Sequence, residues 1–158
     1  MEPLLTAIVL WLSANFNLPA AFNYPRVEFV PSIEMATLRY KGLLTARTRE
    51  AVALAEQPMH AEQMRQVVAV YNDKNKTIYL PNGWKGRTPA ELSMLVHEMV
   101  HHLQNEAGLK YECPQAREKL AYEAQGRWLE LFGLNLENEF EIDPLALILT
   151  TQCLIWPP

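Results

Sequence analysis

Apolar residues recur at helical spacing in three segments of the chain, and the first of these segments is the N-terminus. It carries the stripe Leu4, Leu5, Ile8 and Leu12. The stripe predicts an amphipathic helix of the folded domain, with Pro3 in its first turn. The alternative is an export signal cleaved near Ala20, which is less favoured because such signals begin with basic residues and the first one here is Arg26.

The second segment is the most clearly delimited helix of the sequence. Thr88 is an N-cap candidate, Pro89 suits the first helical position, and Glu91 completes a capping box. Gly108 marks the end of the helix. The apolar face is predicted to consist of Leu92, Leu95, Val96, Met99, Val100 and Leu103.

The third segment predicts a long helix from Pro114 to about Phe132, with Gly133 as its stop. One face carries mostly apolar side chains and is expected to point toward the core, while the opposite face is charged. The core-facing stripe is predicted to consist of Glu118, Ala121, Gln125, Trp128, Leu129 and Phe132.

Extended segments lie between the first two helices. Arg26–Val30 alternates like a short strand that Pro31 ends. Val67–Tyr71 and Thr77–Leu80 are rich in β-branched and aromatic residues and flank a polar turn, which predicts a β-hairpin. Pro81 favours an edge position for the second strand, since proline cannot donate to a sheet ladder.

Together these elements predict one mostly helical α+β domain over residues 1–158, with a small sheet. Weaker patterns predict short helices over residues 32–40 and 45–55, and the tail from 142 to 156 mixes helical and extended signals. The net charge is −4, so nothing indicates a nucleic-acid partner, and the scattered basic residues argue against an anionic membrane surface. No apolar run reaches the roughly 18–20 residues that a transmembrane helix needs.

The second helix carries the sequence His-Glu-x-x-His at residues 97–101. His97 and His101 project from the same helix face, one turn apart, so both imidazoles can reach one tetrahedral Zn²⁺. Glu98 lies about 100° around the helix from His97, where it can contact a water beside the metal rather than the metal itself. His102 points about 140° away from His97, which is more typical of a partly buried histidine.

A third protein ligand is needed if one position on the zinc is to stay open for water. The downstream candidates are Glu112, Glu118, Glu123 and Glu130. Glu118 lies on the core-facing stripe of the third helix, whereas Glu123 and Glu130 share its charged face and Glu112 precedes the helix. We therefore predict a zinc site formed by His97, His101 and Glu118.

The two cysteines, Cys113 and Cys153, lie far apart and neither belongs to a CxxC motif, which argues against a zinc–thiolate cluster. They are either buried free thiols or a single disulfide in an exported protein. The bridge is favoured, because a lone pair in a small protein allows only one pairing.

The motifs HEMVHHLQ, from His97 to Gln104, and EKLAYEAQ, from Glu118 to Gln125, resemble those of zincin metallopeptidases of the gluzincin type. In that family the third ligand is a Glu in the pattern ExxA followed by Asp, and this Asp supports a histidine ligand. Glu118 and Ala121 match the pattern, whereas Tyr122 stands at the Asp position. The nearest resemblance is to small uncharacterised bacterial exported proteins that carry HExVHHLQ.

The resemblance implies a minimal zincin-like core that binds one Zn²⁺ per chain and hydrolyses a peptide or protein substrate, with Glu98 as general base. Tyr122, Tyr111 and His102 are candidates for a donor to the oxyanion. In zincins an edge strand before the active-site helix pairs with the substrate, and a plain structural strand fits the same position equally well. The residues at that position here are Thr77, Ile78, Tyr79 and Leu80.

Two other classes of function remain open. One is a zincin-fold module that binds zinc and peptides with little turnover, and the other is a structural zinc site closed by a fourth side chain. Glu98 argues against both, because neither class needs a carboxylate beside the metal. We expect an exported protein, periplasmic or extracellular, whose export signal is absent from this sequence; the oligomeric state stays open.

Overall fold

The computed structural model describes residues 1–31, 34, 35, 38 and 69–153. Within these residues it contains five helices and three strands, which confirms the mostly helical α+β fold. The helices predicted over 32–40 and 45–55 lie largely or wholly outside the described residues, as does the start of the strand predicted at Val67. Two compact units are present: the helical unit, residues 1–25 with 86–158, and the sheet unit, residues 26–85.

α1 covers Glu2–Phe16 and contributes one side of the core of the helical unit. Leu5, Ile8 and Leu12 are buried, as the N-terminal stripe predicts. Trp11 of α1 meets Trp128 edge-on, with ring centroids 5.3 Å apart. The N-terminal segment is therefore an integral helix of this unit.

α2 covers Pro89–Glu106, contacts α1, and is bounded at both ends by local structure. Thr88 Oγ1 accepts a hydrogen bond from Glu91 N–H at 3.1 Å, and the Glu91 carboxylate accepts from Thr88 N–H at 3.2 Å, which confirms the capping box. After the last turn, Gly108 adopts a φ of 61°, where a side chain would be strained. These caps fix which residues of α2 face the core.

α3 covers Pro114–Glu130 and packs along α2. Immediately after the helix, Leu134 N–H donates to the carbonyl of Leu129 at 3.1 Å, and Gly133 has a φ of 72°. The helix therefore ends two residues earlier than predicted, and the glycine stop is confirmed.

Two short helices complete the helical unit: α4, Leu136–Phe140, and α5, Pro144–Thr151. The mixed signals of the tail resolve into α5, which begins where the Asp143 side chain accepts hydrogen bonds from two backbone N–H groups. α5 contacts α3. Across the part of the chain that the structure describes, no helix is long and apolar enough to cross a membrane.

The sheet unit contains one three-stranded sheet in the order β1-β3-β2, formed by Arg26–Val30, Val70–Asn72 and Thr77–Pro81. β2 and β3 are antiparallel and form the predicted hairpin, and β1 is the predicted first strand. β1 runs parallel to β3. All residues of β3 except Pro81 are buried.

The prediction that Thr77, Ile78, Tyr79 and Leu80 form an open edge strand is wrong. β1 pairs with β3 along its whole length, from Arg26 opposite Thr77 to Val30 opposite Pro81. β2 pairs on the other side of β3 from Asn72 to Val70. A β-strand with neighbours on both sides has no free edge to which a substrate could add.

Pro81 is compatible with this central position because it is the last residue of β3. Asn82 N–H continues the ladder by donating to the carbonyl of Val30 at 3.0 Å. Alternation along the strand then directs the nitrogen of Pro81 to the opposite side, beyond Tyr79, which is the last residue of β3 paired with β2 in the described part of the chain. The described hydrogen-bond ladder therefore does not need an N–H at Pro81.

Cys113 and Cys153 form a disulfide, with their Cα atoms 5.8 Å apart, which confirms the bridge over the alternative of free thiols. Cys113 is the residue immediately before α3, and Cys153 follows the end of α5. The bridge therefore ties the tail of the helical unit to the first turn of α3.

Reduction of this disulfide should lower the free energy of unfolding by about 4 kcal/mol, because the bridge closes a loop of about 40 residues in the unfolded chain. Urea unfolding of the oxidised and reduced protein measures the difference. The double variant Cys113→Ala/Cys153→Ala is the control and should not respond to reductant. Identical unfolding midpoints for the oxidised and reduced protein would contradict the prediction.

Candidate metal centre

The two histidines of the His-Glu-x-x-His motif converge on one point. His97 and His101 lie one turn apart on α2, and their Nε2 atoms are 3.2 Å apart. Their side chains are only 11% and 9% exposed. Both rings are thus held against the core with their outer nitrogens directed at a common site, as the spacing predicts.

Glu118 of α3 completes this site. Its Oε2 atom lies 3.2 Å from His97 Nε2 and 3.3 Å from His101 Nε2. The three donor atoms form a group that could hold a metal ion, and it is the group chosen from the sequence. The competing candidate Glu123 faces outward, where it lies 4.0 Å from Lys119 in an exposed pair.

The electrostatics of the three side chains favour a positive charge among them. Burial by itself raises the pKa of Glu118, but hydrogen bonds and charge from His101 and His97 hold that pKa well below its usual range. Burial lowers the pKa of His101, yet the hydrogen bond and charge of Glu118 outweigh it, and the charge of Glu98 adds to them, so this pKa lies above its ordinary value. A cation at this point would be attracted by both carboxylates.

Glu98 lies next to His97 on α2 and is 8% exposed. It does not belong to the group of three converging donors. Its charge is nevertheless close enough to raise the pKa of His101. This position, beside the site and outside the ligand set, agrees with the helical geometry that the sequence predicts.

Two glutamines that the sequence analysis did not assign to the site contact the other nitrogens of the histidines. Gln125 Oε1 lies 3.0 Å from His97 Nδ1, and Gln104 Oε1 lies 3.1 Å from His101 Nδ1. Both glutamines are buried. A polar residue on the helix face that carries a ligand could have indicated both glutamines in the sequence. Gln125 lies on the predicted core stripe, two turns after Glu118, and Gln104 follows His101 by one turn.

The three candidates for an oxyanion donor have different surroundings. The half-buried Tyr122 packs its ring edge-on against His97, with centroids 4.7 Å apart. The Tyr111 hydroxyl is buried with no hydrogen-bond partner among the described residues, and burial raises its pKa. The His102 ring is fully buried and its Nε2 lies 2.7 Å from the carbonyl of Asn23, which agrees with the preferred interpretation of His102 as a buried histidine.

The site has an open side. The Glu118 side chain is 34% exposed, about three times as much as either histidine. Within the residues that the structure describes, no fourth His, Cys, Asp or Glu joins the group of three, and both cysteines are in the disulfide. A tetrahedral metal ion held by these three donors alone would have a fourth position for water or a substrate.

In comparisons with known proteins, a family model described as a domain of unknown function (DUF6647) matches residues 1–156. No curated protein and no solved structure matches the chain.

Removing Glu118 should weaken metal binding strongly, whereas removing Glu123 should not. Loss of a side chain that only hydrogen-bonds to a metal ligand typically costs about 10–100-fold in affinity. We expect Glu118→Ala to reduce the Zn²⁺ affinity by more than this, because it deletes one of the three donor atoms. Glu123→Ala is the matched control on the outer face of α3. Metal content after dialysis and competition with a chromophoric chelator measure both, and equal losses in the two variants would contradict the site.

Proposed function

This chain belongs to the DUF6647 family, and we propose that it is a zinc-dependent metallopeptidase. The observation that carries the proposal is the convergence of His97, His101 and Glu118 beside a second acidic side chain, Glu98, that is not part of the donor group. A purely structural metal site has no use for that additional buried carboxylate. A hydrolase needs it as a base.

The donor set suits zinc. Tetrahedral Zn²⁺ takes nitrogen and oxygen donors at about 2.0–2.1 Å, which spaces the donors about 3.3 Å from one another. The three donor atoms here are separated by 3.2, 3.2 and 3.3 Å. Two imidazoles and one carboxylate with an open position are the ligands of one class of catalytic zinc sites.

Bound zinc would supply a Lewis acid that polarises the scissile carbonyl and makes a neighbouring water more acidic. Glu98 accepts a proton from the attacking water as the water oxygen bonds to the carbonyl carbon. Glu98 then donates this proton to the leaving nitrogen as the C–N bond breaks, so the products are a carboxylic acid and an amine. Tyr122 is the candidate that contacts a ligand ring, and it is our choice for the donor to the developing oxyanion.

We also propose a periplasmic or extracellular location. The disulfide between Cys113 and Cys153 supports it, because such bridges persist in oxidising compartments and are rare in reducing ones.

Glu98→Gln should abolish hydrolysis while zinc content and fold are retained. The substitution keeps the shape of the side chain and removes the group that accepts the proton, a loss that typically costs about 10²–10⁴-fold in rate. Activity is measured on a diverse peptide library with the zinc-loaded protein, and hydrolysis by the wild type should be sensitive to chelators.

Glu106→Gln, at the end of the same helix, is the control and should retain the activity of the wild type. If wild type and Glu98→Gln were equally inert at full zinc occupancy, the peptidase proposal would be overturned in favour of a zinc-binding peptide module. If the wild type bound no zinc, both functions would be overturned.

A further inference from the structure

We propose that Gln125 and Gln104 are positioning residues of the metal centre, which hold His97 and His101 in the tautomer that presents Nε2 to the metal. The inference rests on the proposed zinc site and adds two residues that lie outside the His-Glu-x-x-His motif. The orientation of each amide follows from whether its neighbours can donate or only accept a hydrogen bond.

The orientation of the Gln125 amide follows from Ser93. The Ser93 hydroxyl lies 2.8 Å from the carbonyl oxygen of Ala90, which can only accept, so the hydroxyl donates its proton there. Its oxygen then accepts from the Gln125 amide nitrogen at 3.3 Å. Gln125 Oε1 therefore faces His97 Nδ1, and because an amide oxygen can only accept, Nδ1 carries the proton.

The orientation of the Gln104 amide is fixed twice by Arg117. The amide nitrogen of Gln104 donates to the Arg117 carbonyl at 3.1 Å, and Arg117 Nε, which can only donate, lies 3.3 Å from Gln104 Oε1. The oxygen end of the amide therefore also faces His101 Nδ1, which must donate to it. When a metal is bound, Nε2, the atom directed at Glu118, is then the nitrogen of each ring that is free to coordinate it.

Arg117 extends this arrangement to the third ligand. Its Nη2 donates to the carbonyl of His101 at 3.1 Å, so one arginine holds both the backbone of His101 and the amide of Gln104. Arg117 immediately precedes Glu118 on α3. The contacts that orient the His101 ring thus also fix the helix position from which Glu118 projects.

The neutral amides have a chemical consequence. A carboxylate at Nδ1 would fix the same tautomer and would also add negative charge, which raises the basicity of the histidine ligand. An amide oxygen fixes the tautomer without this charge. We therefore expect Gln→Glu at either position to keep the tautomer and bind zinc at least as tightly, because an acceptor is still present.

Gln125→Leu and Gln104→Leu should each reduce zinc affinity about 10–100-fold in chelator competition. The matched control is Gln115→Leu on α3: the buried Oε1 of Gln115 has no hydrogen-bond partner among the described residues, so its loss should leave the affinity unchanged. Gln125→Glu and Gln104→Glu should retain binding, which separates the acceptor from a general effect of packing.

Long-range ¹H–¹⁵N spectra of the histidine rings supply a readout that a merely structural role would not change. In the zinc-loaded wild type we expect Nδ1 of His97 and of His101 to carry a slowly exchanging proton, and each Leu variant should lose that protection at the ring it faces. A wild type whose rings bind zinc through Nδ1 would overturn the positioning role, whether or not the Leu variants fold.

The two proposals fail in different ways. If the wild type binds zinc through Nε2 but both Leu variants keep its affinity and its protected Nδ1 protons, the positioning role is overturned and the metallopeptidase stands. If the wild type binds no zinc, the proposed function is overturned, and spectra of the metal-free protein in mildly alkaline solution decide the tautomers. Nε2–H tautomers there would overturn the positioning role as well.

Discussion

The constraint on which the helical unit depends is that three donor atoms from two helices lie within 3.3 Å of one another. Such a triangle tolerates little sliding between α2 and α3, because one residue of shift along a helix moves a side chain by 1.5 Å and rotates it by about 100°. The caps of α2, the glycine turn after α3 and the Arg117 contacts to α2 each remove part of that freedom. The site is therefore a property of how the two helices pack.

This packing places an unusual number of polar side chains in the interior. His97, Glu98, His101, His102 and Gln104 occupy most of two consecutive turns of α2, and all are buried. An unpaired buried polar group costs about 1–3 kcal/mol, so such a stretch is tolerable only if its groups have partners. His102 Nε2 contacts the carbonyl of Asn23, the Gln104 amide oxygen accepts from the His101 ring, and Arg117 donates to the carbonyl of His101. Stability and the geometry of the site are thus provided by the same hydrogen bonds.

The parts of the structure that follow from local sequence could be predicted. The bounds of α2, the burial of Ala121, Gln125 and Leu129 on α3 and the choice of Glu118 over Glu123 depend on capping and on helical periodicity, which are properties of a few neighbouring residues. Phe132, predicted on the same stripe, lies beyond the end of α3 and is exposed, because periodicity does not extend past the glycine turn. The central position of β3 could not be predicted in this way, because its parallel partner β1 lies about fifty residues earlier and hairpin reasoning sees only the adjacent strand.

The glutamines were missed for a different reason. On the printed sequence a glutamine on a mostly apolar helix face indicates burial but not what the amide oxygen accepts. The two ends of the Gln125 amide are distinguished by Ser93, and those of the Gln104 amide by Arg117. In each case the orienting residue lies on the other helix of the pair. The resemblance to gluzincins predicts that the acceptor for a histidine ligand stands at the position of Tyr122. The acceptor for His97 Nδ1 is instead Gln125, one turn further along α3.

The way the ligands are held also bears on what kind of metal site this is. In domains where zinc is structural, the free energy of metal binding drives the folding of the chain, and the ligands have few other restraints. Here the two helices are restrained by a buried apolar core, by the disulfide at the start of α3 and by hydrogen bonds that the His97 and His101 rings donate to Gln125 and Gln104. None of these restraints involves a metal ligand bond. A site preorganised by the protein itself has no need of a metal to fold it, and this supports the proposal of a catalytic rather than a structural site.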